Sequence, residues 1–173
     1  MKNLIRNLFH LRKDIGLNFY IADFFFRRIL RQNAGTSWAV HHTSVIICPE
    51  NIVRGKNVFP GDSPHNYIEA WNGIEIGEYT NIGPGVGIIS ANHHPVDNAQ
   101  HIKAAPIRIG KFCWLGMNAI ILPAVELGDF TVVGAGSVVT KSFPEGYCVL
   151  AGNPARIIKH LNKDECKKFA EGK

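Results

Sequence analysis

Residues 109–139 read IGKFCWLGMNAIILPAVELGDFTVVGAGSVV, with an aliphatic side chain at every sixth position: Ile109, Leu115, Ile121, Leu127, Val133 and Val139. Stepping by six upstream gives a second series, Val40, Ile46, Ile52, Val58, Pro64, Ala70, Ile76, Ile82 and Ile88. Ile, Leu and Val make up 42 of 173 residues, yet they fill thirteen of these fifteen positions, where chance would fill about four. Glycine follows the aliphatic at Gly77, Gly83, Gly110, Gly116, Gly128 and Gly134. Four residues after the aliphatic comes a small or moderate side chain, as at Thr80, Val86, Cys113, Ala119, Val125, Thr131 and Ser137.

A period of six matches neither the 3.6 of an amphipathic helix nor a long strand of period two, but it suits short strands joined by sharp corners. Stacked hexapeptides of this kind form a parallel β-helix, an all-β solenoid whose inward aliphatic rows make a continuous core. With three sides per coil, residues 40–144 supply about five coils. From Ile88 to Ile109 the step is 21 residues instead of six, so fifteen leave the coil as an excursion near 90–106. That excursion carries His93-His94-Pro95-Val96-Asp97, and a long loop leaving a rigid repeat is where function is usually placed.

Outside the repeat the pattern changes. Leu4, Ile5, Leu8, Leu11 and Ile15, then Tyr20, Phe24 and Ile29, follow helical spacing, as does the stretch from about Asn162 to Glu171. The chain divides into an N-terminal helical segment (1–35), a coil domain (36–160) and a C-terminal helix (161–173). Residues 1–33 hold seven basic and two acidic side chains and five of the ten Phe, whereas the other 140 residues balance at twelve against twelve. The net charge of +5 therefore belongs to one apolar segment, which argues against a nucleic-acid groove and leaves a solenoid cap or a membrane-surface helix as its role. The four cysteines show no paired or zinc-type spacing, so reduced thiols in the cytoplasm are expected, with peripheral contact at the inner membrane face as the added possibility for residues 1–33.

The run from Ile76-Gly77 to Gly83-Pro84, then Asn92-His93-His94-Pro95-Val96-Asp97, Pro106-Ile107-Arg108-Ile109-Gly110, Trp114-Leu115-Gly116, Ile121-Leu122-Pro123, Gly134-Ala135-Gly136-Ser137 and Gly152-Asn153-Pro154-Ala155-Arg156 resembles the hexapeptide-repeat O-acetyltransferases. Maltose and galactoside acetyltransferases and enzymes acetylating capsule and lipopolysaccharide sugars belong to that family. The resemblance covers roughly residues 40–160. It implies a left-handed coil, a homotrimer with acetyl-CoA in the cleft between neighbours, and acetyl transfer to a hydroxyl of a sugar or sugar-containing envelope polysaccharide precursor.

Such a transfer needs a base for the hydroxyl proton and donors for the oxyanion. The resemblance assigns the base to His94, with His93 as its rival. Asp97, Asn92 or a backbone carbonyl would orient the ring by accepting its other N–H. Trp114 matches the indole that lines the acyl end of the cleft, amides around Gly116 and Met117 are candidate oxyanion donors, and Ala135, Thr140, Lys141, Arg156 and Lys159 match the CoA-binding stretch. Glu69, Trp71 and Asn72, one coil earlier, together with Asn92 and Asp97, are the candidate acceptor contacts. No metal is expected on this reading. Two others compete with it: a γ-type carbonic anhydrase, to which His93, His94 and His101 invite comparison, and a non-catalytic trimeric scaffold.

Overall fold

A computed structural model describes residues 15–173. Fourteen short strands form three sheets around a triangular core. Sheet A contains β1 (Val45–Ile47), β3 (Tyr67–Glu69), β6 (Gly87–Ile89), β9 (Ile120–Ile121) and β12 (Val138–Val139). Sheet B contains β2 (Ile52–Arg54), β4 (Ile74–Ile76), β7 (Ile107–Ile109) and β10 (Glu126–Leu127). Sheet C contains β5 (Asn81–Ile82), β8 (Trp114–Leu115), β11 (Thr131–Val133), β13 (Cys148–Gly152) and β14 (Ala155–His160). From β3 to β12 the chain visits A, B and C in turn, and from β6 onward each strand pairs in parallel with its predecessor one coil back. The last coil has only an isolated parallel bridge, Leu127 with Phe143, on sheet B before β13 joins sheet C and β14 turns antiparallel onto it. This last hairpin pairs the β13 edge and leaves the largely exposed β14 as the outer strand of sheet C.

The aliphatic series are the inward rows. Ile46, Ile68, Ile88, Ile121 and Val139 stack on sheet A, Ile76, Ile109 and Leu127 on B, and Ile82, Leu115, Val133 and Leu150 on C, all buried. Each such side chain contributes roughly 1.5–3 kcal/mol by leaving water. The pairing offset is 18 residues for Ile109 to Leu127, Leu115 to Val133 and Ile121 to Val139. It is 33 for Ile76 to Ile109, Ile82 to Leu115 and Ile88 to Ile121, so the fifteen extra residues all leave between β6 and β7.

The early part of the sequence series needs correction. Ile46 pairs with Ile68 and Ile52 with Ile74, four residues later than an unbroken hexad phase demands. Pro64 is half-buried and is no core rung. The phase slips because a turn at Phe59–Asp62, closed by Asp62 N–H donating to the Phe59 carbonyl and by Gly61 at φ +86°, lengthens the coil.

A second ladder runs along the B–C edge, outside the inward hexad rows. Tyr79, Phe112, Phe130 and Tyr147 stack with successive centroids 5.1, 4.9 and 5.6 Å apart. All four lie at positive φ, from 48° to 59°. That conformation costs a non-glycine residue roughly 1–2 kcal/mol, and aromatic stacking returns about 0.5–1.5 kcal/mol per pair. The glycines just before them permit the corners to stack: a Cβ on Gly110 would lie 2.6 Å from Asp129 N, in the next coil.

At the N-terminal end, helix α1 (Leu17–Phe24) continues as a wider turn, Phe25–Ile29. Asp23 is buried, accepts the Val40 N–H at 2.9 Å and pairs with Arg27 at 2.6 Å, while Arg27 also donates to the Thr36 carbonyl. Phe26 stacks on His42 and His42 on His41. The helical spacing of Leu4, Ile5, Leu8 and Leu11 lies outside the described residues. At the other end, helix α2 (Lys163–Glu171) is capped by the Asn162 side chain, which accepts from the Asp164 and Glu165 N–H groups. Its Phe169 meets Phe112 edge-on.

Candidate functional site

The excursion leaves at Ser90 and returns before Ile107, at the A–B edge. The corner one coil earlier on that edge is Ala70-Trp71-Asn72-Gly73, and its side chains hold the loop. The buried Glu69 carboxylate accepts Trp71 N–H at 2.5 Å through Oε1 and Ala91 N–H at 3.0 Å through Oε2. Asn72 donates through its side-chain amide to the Ser90 carbonyl at 2.9 Å and the Ile102 carbonyl at 3.0 Å, bridging the departing and returning arms. Its backbone N–H donates to Ser90 Oγ. These hydrogen bonds commit Glu69 and Asn72 to the frame of the loop rather than to a bound acceptor. Trp71 is half-exposed and stacks on His101 at 4.7 Å.

Asn72→Asp is therefore expected to lower kcat/KM about tenfold, and more than Asn72→Ala, because a carboxylate turned toward two carbonyls repels both arms while alanine leaves them to water. Proteolytic nicking within residues 92–102 should accelerate in the same order, with the melting temperature nearly unchanged.

Within the loop the two adjacent histidines are held differently. His93 Nδ1 lies 2.6 Å from the Asn98 carbonyl, so that nitrogen donates and, in the neutral ring, Nε2 is the acceptor. The His93 ring packs against His101 at 4.6 Å, and the two residues form an antiparallel bridge between the loop's arms. His94 Nδ1 instead accepts from the Val96 and Asp97 N–H groups at 3.3 and 3.1 Å. Its neutral ring then carries the proton on Nε2, the nitrogen left for a ligand. The Asp97 carboxylate orients neither ring: it accepts from Gln100 Nε2 and Ala99 N–H inside the turn. The Asn92 carbonyl accepts from Ile102 N–H, which also belongs to the loop's own frame. A backbone carbonyl thus accepts from His93, and among the described residues no carbonyl or carboxylate accepts from His94 Nδ1.

The proposed cofactor residues lie elsewhere on the prism. Trp114 is exposed on the outer face of sheet C, in the row Asn81, Trp114, Val132, Val149, Lys159. Gly116 and Met117 turn the C–A corner, and Gly134-Ala135-Gly136 sits directly on them, with Gly116 N–H donating to the Val133 carbonyl and Gly136 N–H to the Met117 carbonyl. The Gly116 amide is thus occupied by the coil and does not serve as an oxyanion donor. Arg156 folds back onto the Pro154 and Ala155 carbonyls. Thr140 and Lys141 lie on the A–B edge with the excursion, and Lys141 sits over the Phe143 ring. One chain therefore keeps the histidine loop and most of the cofactor residues on different edges, separated by sheet A.

Burial pushes the Cys113 thiol up to about 12 and raises Cys48, Cys148 and Cys166 as well, which keeps them from acting as nucleophiles near neutral pH. Among the described residues no group of three or more His, Cys, Asp or Glu is placed to hold a metal ion, and no helix is long and apolar enough to cross a membrane.

Residues 106–141 match the family model for the bacterial transferase hexapeptide (six repeats). A protein of Escherichia coli K12 named as a colanic acid biosynthesis acetyltransferase, WcaF, is 32% identical over 141 residues, covering 82% of this chain and 76% of that protein. Galactoside O-acetyltransferase of the same organism is 39% identical over 93 residues, 51% of this chain and 45% of that protein. The chain thus spans under half the length of that relative. Among solved structures, a maltose O-acetyltransferase from Clostridium difficile 630 superposes with a TM-score of 0.60 at 35% identity, covering 66% of this chain and 62% of that one. A hexapeptide-repeat acetyltransferase of Vibrio cholerae solved with acetyl-CoA superposes at 0.54 with 25% identity, covering 69% of each chain.

Proposed function

Because the chain belongs to the hexapeptide-repeat acetyltransferases, we propose that it moves an acetyl group from acetyl-CoA to a hydroxyl of a sugar or a sugar-containing envelope polysaccharide precursor. The observation that carries this reading is a histidine loop clamped to a rigid coil, with one imidazole held by a backbone carbonyl so that the outer nitrogen of the neutral ring is an acceptor. Relatives named for galactoside, maltose and colanic acid support the sugar, and the acetyl-CoA complex of a neighbour supports the donor.

In the transfer, a histidine Nε2 takes the acceptor's hydroxyl proton as the oxygen attacks the thioester carbonyl. The tetrahedral oxyanion collapses, the C–S bond breaks, and the imidazolium returns its proton to the departing thiolate, leaving a free thiol and an acetyl ester. The ring geometry favours His93 for this role, while the family resemblance points to His94. Trp114, Met117, Ala135, Arg156 and Lys159 are proposed to meet CoA, the cations through its phosphates. Trp71, with a half-exposed indole beside the loop, is proposed to stack on the sugar.

The coil is read as left-handed, with about five turns, and the enzyme as a homotrimer. Support for the trimer comes from the separation of loop and cofactor residues onto different edges, which a neighbour's cofactor edge set against the loop would reunite. Sedimentation at about three times 19.2 kDa is expected. A screen of mono- and oligosaccharides with acetyl-CoA, following thiol release, tests the function. Thiol release that depends on one acceptor class supports it, and no release with any saccharide overturns it.

A further inference from the structure

Helix α1 and the turn after it are amphipathic in the inverse of the usual sense. The face docked on the coil is anchored by a buried ion pair, Asp23 with Arg27, and by Asp23 accepting the Val40 N–H. The face turned to the outside is apolar: Ile21 is 68% exposed, Phe24 61%, Phe25 46%, Ile29 59% and Leu30 55%. Five large apolar side chains side by side are costly to leave in water, and such a cluster marks a contact surface. Within residues 15–35 the exposed charge has one sign. Asp23 is the only acid in residues 15–35 and is spent on Arg27, while Arg28 and Arg31 are exposed. In sequence, residues 1–14 carry Lys2, Arg6, Arg12 and Lys13 against a single Asp14. Sheet B and its corner show how this protein treats a surface meant for water, with Glu75 set against Arg108 on the outer face and Glu78 against Lys111 at the B–C corner.

We propose that this face docks in the headgroup region of an anionic lipid bilayer, the rings and aliphatic side chains entering the interface and the arginines meeting lipid phosphates. A second copy of the chain is the weaker occupant, because a self-complementary contact would bring Arg28 and Arg31 of both copies together while the one acid of residues 15–35, Asp23, is held by Arg27. The proposal does not depend on the acceptor or on the reaction.

The test is co-sedimentation of the full chain with vesicles of phosphatidylcholine and phosphatidylglycerol at 3:1, beside vesicles of phosphatidylcholine alone. Binding should occur on the anionic vesicles, weaken as salt rises, and be absent on the neutral ones. The variant Arg28→Gln with Arg31→Gln should bind about 25-fold more weakly, since each cation near such a surface contributes about fivefold. Phe24→Ser with Ile29→Ser should lose retention at every salt concentration. Both variants leave the Asp23–Arg27 pair intact, and circular dichroism and the melting curve check that they fold. Two results would overturn the proposal: no binding by the wild-type chain, or equal binding by both variants. If the wild-type chain ignores vesicles and the Phe24→Ser, Ile29→Ser variant sediments at a lower mass, the face is a contact between copies and not a membrane surface.

Discussion

Replacing His93 with alanine is expected to lower kcat by 10²- to 10⁴-fold, the usual worth of a positioned general base, while KM for acetyl-CoA changes little. His94→Ala should cost far less. The two rings sit side by side but differ in which nitrogen is engaged. The Asn98 carbonyl fixes the His93 proton on Nδ1 and leaves Nε2 free to accept one from a hydroxyl. For His94 to do the same, its Nδ1 would have to release the Val96 and Asp97 amides and take up a proton where two N–H groups now point. That rearrangement leaves two donors unpaired and costs on the order of 1 kcal/mol for each hydrogen bond lost. Steady-state kinetics on the two alanine variants settles the choice. If they exchange phenotypes, His94 is the base and the loop re-forms when substrate binds.

The hexad from Ile109 to Val139 could be read directly because burial there depends on a single residue per side, and the pairing offset of 18 follows from it. The same rule passed over the slip at Pro64, since an in-phase proline looks like a corner and only the Ile46–Ile68 pairing reveals the longer coil. The aromatic ladder was equally present in the sequence, three residues after Ile76, Ile109 and Leu127, but aromatics at that offset lie on a corner, outside the inward rows that the hexad search follows. Glu69 and Asn72 could not be assigned from sequence. A polar side chain at a corner can face a ligand or the backbone, and what decides it here is contact with Ala91, 22 residues away, and Ile102, 30 residues away. The orientation of His93 depends on a carbonyl five residues further on, inside a loop with no periodicity to fix its path.

A trimer assembled from two inactive chains should regain activity. His93→Ala removes the base from the excursion at the A–B edge. Trp114→Ala combined with Lys159→Glu strips the outer row of sheet C, where these residues share a face with Val132 and Val149, and is expected to lower kcat/KM for acetyl-CoA about 100-fold through loss of an aromatic contact and reversal of a charge. If each site is built from the loop of one chain and the cofactor edge of its neighbour, a head-to-tail ring creates three such junctions. In a random one-to-one mixture, half of the loops are intact and half of the cofactor edges are intact. About a quarter of the junctions then hold both, so co-refolded chains should show about a quarter of wild-type activity. A site contained within one chain cannot be repaired this way, because every chain in the mixture lacks one of its parts. Activity in the mixture no higher than in either variant alone, at the sedimentation mass of the trimer, would therefore disprove the shared site even if the enzyme is trimeric.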